Sequence, residues 1–198
     1  MSLETLTPLC LFALVSTGSP GGATTLATAS GASFGLRGSV PLIAGIAVGL
    51  ATMAGAAAMG LAGILLAIPS LQLAMNAVGS IYLLWLAWQI AHRGPPHLMK
   101  AQARPLGFIA GVWMLWHNPK GWAMTVSAAA SFASLADEPV QLGLLLAATF
   151  GIFATISLSM WCVTGLLLAR LLRTDGQWRA LNISLAALLA ASIVPIWL

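Results

Sequence analysis

The chain carries eight Lys or Arg and four Asp or Glu, and only one of these charges, Lys120, falls inside a long apolar run. The others stand at the start or in short stretches between runs that cover about 3–29, 40–68, 71–90, 106–135, 140–168 and 180–198. A run of about 20 apolar residues is what a helix needs to cross the hydrocarbon core. With 60% hydrophobic and 6% charged residues among 198, against about 25% charged in soluble domains, the chain reads as an all-α integral membrane protein. Six runs leave little chain for a soluble domain. The net charge of +4 is confined to particular connections, so it reads as a topology signal and not as a nucleic-acid surface.

The positive charges alternate. The first connection holds Arg37, the third Arg93, Lys100 and Arg104, and the fifth Arg170, Arg173 and Arg179. The second, at Pro69-Ser70, and the fourth, at Asp137-Glu138-Pro139, hold no Lys or Arg. Under the positive-inside rule the odd connections are cytoplasmic, which predicts six spans with both termini outside. The start, Met1-Ser2-Leu3-Glu4, has no basic n-region, so the first run is expected to be a retained span. Residues 93–105, with Gly94-Pro95-Pro96, read as a cytoplasmic linker between a three-helix repeat at 1–92 and another at 106–198.

Three spans on each side of a linker insert the two halves with opposite topology, the condition for an inverted repeat. Two runs are interrupted at corresponding places, the first by Gly18-Ser19-Pro20-Gly21-Gly22 and the fourth by His117-Asn118-Pro119-Lys120-Gly121. Proline removes a backbone donor and ends a helix, so spans one and four are expected to break at Pro20 and Pro119. Breaks inside a membrane expose N–H and C=O groups that lipid cannot satisfy, so they must line a polar cavity. The half-helices that restart after Pro20 and Pro119 each offer a partly positive N-terminus suited to a carboxylate, and Lys120 adds a full charge. A lysine can snorkel to headgroups from a span end, but Lys120 sits near the middle of its run. The candidate substrate-binding residues are therefore Ser19, Pro20, Gly21, Gly22, Thr24, His117, Asn118, Pro119 and Lys120. His117 reads either as a proton-sensitive neighbour or as a packed residue beside Trp116.

Other patterns carry less. GxxxG pairs at Gly18/Gly22, Gly31/Gly35, Gly45/Gly49 and Gly107/Gly111 allow close helix approach within one chain or between two. Thr24, Thr25, Thr28 and Ser30, and Thr125, Ser127 and Ser131, either line a pathway or bond back to their own helices. Asn76 is interhelical glue or a ligand contact. Cys10 and Cys162 lie in separate runs with no CxxC and read as packing residues. No catalytic residue, metal site or cofactor is indicated.

Four stretches together resemble the lysine exporter and homoserine/threonine efflux (LysE/RhtB) translocators. They are Ser19-Pro20-Gly21-Gly22, Ala44-Gly45-Ile46-Ala47-Val48-Gly49, the run Gly79-Ser80-Ile81-Tyr82-Leu83-Leu84-Trp85-Leu86-Ala87-Trp88, and Asn118-Pro119-Lys120. The resemblance implies a bacterial inner-membrane exporter of amino acids or related small zwitterionic or carboxylate solutes, not an enzyme, driven by the proton gradient and often a homodimer. This chain departs from the family pattern in two places. Gly22, Ala23 and Thr24 stand where the family continues with Pro and then Asn, and Leu50 stands where it often has Asp. No Asp or Glu lies inside any predicted span, so either coupling falls to His117 or to the solute itself, or this member handles an unusual solute. The alternatives are a membrane-embedded redox or metal-handling protein, against which the missing CxxC and missing intramembrane acids argue, and a non-transporting regulatory or assembly relative.

Overall fold

The computed structural model describes residues 3–61, 67–92, 104–194 and 197. Most of the expected linker, including Arg93 and Lys100, lies outside the described residues. Those described form helices α1 (Leu3–Gly18), α2 (Gly22–Ala58), α3 (Pro69–Ala91), α4 (Phe108–Trp116), α5 (Pro119–Ser131), α6 (Pro139–Leu171) and α7 (Asp175–Ala191), with a short 3-10 turn at Ala133–Leu135. No strand occurs among them.

Both expected breaks are present. α1 stops at Gly18 and the chain restarts at Gly22, because Pro20 has no N–H to give and biases Ser19 away from helical backbone. α4 stops at Trp116 and α5 starts at Pro119, where the fixed φ of proline suits the first helical position. At 16, 9 and 13 residues, α1, α4 and α5 are each shorter than the roughly 20 needed to cross alone.

α2 is one helix only in name. Gly35 interrupts it with φ 70° and ψ 179°, a left-handed value that a side chain would strain. Across this point the hydroxyls of Ser30 and Ser39 lie 2.8 Å apart, whereas nine residues of continuous helix would rise about 13 Å. The chain therefore folds back at Gly35, and 22–34 and 36–58 are separate arms. Arg37 sits just after this turn, where the first basic connection is expected. α2, Gln72–Ala91 and α6 are the described segments long and apolar enough to cross a membrane.

Glycines set how closely the arms pack. A Cβ on Gly31 would overlap the carbonyl of Cys162, and one on Gly165 would overlap the carbonyl of Thr28, so arm 22–34 crosses α6 in backbone contact. Arm 36–58 crosses α4 in the same reciprocal way, Gly45 against the Phe108 carbonyl and Gly111 against that of Leu42. One glycine from each of three GxxxG pairs, Gly31, Gly45 and Gly111, thus serves a contact within the chain. α3 packs on α7. The core between them holds Met53, Leu86, Phe150 and Leu189, all fully buried. Large apolar side chains cover the outside, Ile109 being 81% exposed, the pattern of a surface solvated by lipid. No buried side-chain polar atom among the described residues lacks a hydrogen-bond partner.

Candidate functional site

The two breaks face one another, and Lys120 joins them. Its Nζ donates to the Ser19 hydroxyl at 2.8 Å, to the Ser19 carbonyl at 3.0 Å and to the Pro20 carbonyl at 3.1 Å. An ammonium has three N–H donors and no acceptor, so this geometry uses its full capacity. Gly21 makes the approach possible: a Cβ there would stand 3.1 Å from Nζ.

The carbonyls that the first break releases are all met. Ser157 Oγ donates to the Thr17 carbonyl at 2.8 Å and Trp161 Nε1 to that of Gly18 at 3.1 Å, both reaching across from α6. Lys120 takes the next two. The Gly21 carbonyl accepts from the Thr25 N–H at 2.9 Å and starts the next helix. Buried carbonyls without donors would cost about 1–3 kcal/mol each, which is why a broken span needs these side chains. Ser157 and Trp161 were not among the residues expected from the sequence. The available signal was two polar atoms four residues apart, hence on one face of an apolar helix.

The N–H side differs between the breaks. At α5 the cap is internal: Asn118 Oδ1 accepts from the Lys120 N–H at 3.0 Å, and Pro119 has no N–H to satisfy. At α2 no side chain caps the helix. The Thr24 hydroxyl instead bonds the N–H of Gly21 at 2.8 Å and its carbonyl at 3.0 Å. The N–H groups of Gly22, Ala23 and Thr24 then have no protein acceptor among the described residues. So the two restarting helices are not equivalent, and only the one after Pro20 presents open donors.

Between the breaks lies a cavity of about 40 Å³, bounded by Ser19, Gly22, Thr24, Asn118 and Lys120 on the polar side and by Leu50, Leu115 and Leu158 among others on the apolar side. No carboxylate among the described residues borders it. Six of the nine residues expected from the sequence, Ser19, Gly21, Gly22, Thr24, Asn118 and Lys120, line this space, and Pro20 joins them through its carbonyl bond to Lys120. Pro119 only starts α5. His117 turns elsewhere, its Nδ1 2.9 Å from the Trp113 carbonyl and its ring 4.1 Å from that of Trp113. Of the hydroxyl residues expected along the two broken runs after their breaks, Thr28 and Thr125 bond back to their own helices, while Thr24 borders the cavity.

The sequence profile of the LysE type translocators matches residues 14–192. The chain belongs to this family. The match spans both breaks and the cavity between them, so the site just described belongs to a membrane translocator and not to an enzyme. Among curated proteins, the chain is 35% identical over 191 residues to a cysteine/O-acetylserine efflux protein of Klebsiella pneumoniae, covering 93% of each. It is 29% identical over 198 residues to a protein of the same description from Escherichia coli, covering the whole of both. A Salmonella typhimurium relative, again a cysteine/O-acetylserine efflux protein, is 28% identical over 198 residues, 97% of this chain and 100% of the relative. No solved structure matches this member of the LysE type translocators.

Proposed function

We propose that this LysE type translocator exports small neutral amino acids across the bacterial cytoplasmic membrane, binding them between the breaks at Ser19–Gly22 and Asn118–Lys120. The observation that carries the reading is the junction itself. A lysine inside an apolar span closes on the exposed backbone of a second broken span, beside open N–H groups suited to a carboxylate. The efflux descriptions of the relatives make cysteine and O-acetylserine the first solutes to test. Export is driven by the proton gradient. Lys120 is the titratable group bordering the cavity, and His117 stands apart from it.

The same reading takes the chain as two inverted three-helix repeats with six crossings, both termini outside. The pairing of elements supports it. Exchanging the halves turns the contact of span one with span five into that of span four with span two. Each of these span pairs carries one of the glycine crossings, arm 22–34 with α6 after its break and α4 with arm 36–58 before its own. The remaining pair, α3 with α7, maps onto itself.

Efflux of radiolabelled cysteine and O-acetylserine from proteoliposomes, with and without an imposed pH gradient, tests the activity. Loss of label that follows the gradient is the expected result. Retention of every amino acid in a broad panel would reject it. Sizing in detergent tests the homodimer that the family resemblance implies.

A further inference from the structure

We propose that Lys120 occupies the subsite of the substrate's own ammonium group, and that a bound amino acid displaces it. The inference rests on the cavity being an amino-acid site. Ser19 and Pro20 present three oxygens to Nζ at 2.8–3.1 Å. The α-ammonium of an amino acid carries the same charge and the same three donors, so it fits this cradle as well as the lysine does. In the structure Lys120 fills the cradle, so a substrate ammonium reaches these oxygens only where Lys120 withdraws.

A withdrawn ammonium needs an anion, because an unpaired charge is costly away from water. No carboxylate among the described residues borders the cavity, so the solute's own carboxylate is the partner. Two further donors stand ready for it. One is the uncapped N–H row at Gly22 and Ala23. The other is Asn118, which borders the cavity and whose Oδ1 caps α5, while its Nδ2, accessible and not a buried atom, makes no hydrogen bond among the described residues. A zwitterion thus exchanges for Lys120 with one ammonium always in the cradle and the displaced one paired with the solute carboxylate. An amine without a carboxylate would bring a second cation with no anion. A carboxylate without an amine would leave the Ser19 and Pro20 carbonyls bare. Selection for zwitterions therefore needs no acidic residue, which accounts for a site that has none.

The exchange is tested by ligand-induced thermal shift and competition on the purified full-length protein, with cysteine, cysteine methyl ester and ethylammonium chloride as probes. In the unmodified protein the ester and ethylammonium should bind on the order of a hundredfold more weakly than cysteine, the effect of leaving a buried charge unpaired. In Lys120→Ala the preference should invert, with ethylammonium gaining affinity as the cradle stands empty and cysteine losing it. Equal binding of cysteine and its ester by the unmodified protein would overturn the exchange whether or not the variant folds. So would a folded Lys120→Ala that binds cysteine normally and ignores ethylammonium. If the unmodified protein neither binds nor exports any amino acid, the exporter reading itself fails, a result distinct from both.

Discussion

Lys120 Nζ donates to the Ser19 hydroxyl at 2.8 Å, though 101 residues separate the two in sequence. That bond and its two carbonyl companions tie the break in one half of the chain to the break in the other. They also explain how an ammonium is tolerated inside an apolar span: its donors are spent on backbone that the breaks leave bare. Lys120→Met keeps the stem and removes the donors. Efflux in proteoliposomes should fall to background while the amount of protein in the membrane stays near normal; undiminished flux would rule out a role for this lysine.

Ser157→Ala and Trp161→Phe each remove a donor from a carbonyl at the end of α1. Each should lower stability by about 1–3 kcal/mol, read as an earlier thermal transition in detergent. Near-additive losses are not expected for the pair, since both groups hold the same turn.

Gly165→Val would drive a side chain into the carbonyl of Thr28, and Gly31→Val into that of Cys162. Either should cost about 1–3 kcal/mol or more by overpacking. Gly107→Ala, at a position with nothing near its missing Cβ, should be close to neutral in the same assay.

His117→Gln should leave efflux and its pH profile within about twofold of the unmodified protein, as for substitutions away from a site. The ring stacks on Trp113 and bonds its carbonyl, outside the cavity. A shifted pH profile would return the proton-carrying role to this histidine.

Asn118→Ala removes the cap of α5, a loss of about 1 kcal/mol, and also the free amide at the cavity. Asn118→Ser keeps a capping oxygen without that amide. Efflux should fall in both variants, while thermal stability should fall mainly in the first.

Both breaks and the turn near Arg37 were legible in the sequence, because proline and glycine act locally and leave their mark residue by residue. The pairing of Pro20 with Pro119 was legible as well, since the two interruptions stand at matching places in their apolar runs. What the sequence could not decide was where each polar atom points. Two half-helix starts looked alike, yet Asn118 closes one and nothing closes the other, a difference of cap geometry and not of composition. Lysine 120 looked like a free charge awaiting an anion, and it is bound to Ser19 and Pro20. His117, adjacent to the second break, faces away from it. Local chemistry fixes where a helix must stop. Only the packing of α6 and α5 against the broken span determines which donor reaches which bare carbonyl, because those contacts join residues more than 100 positions apart.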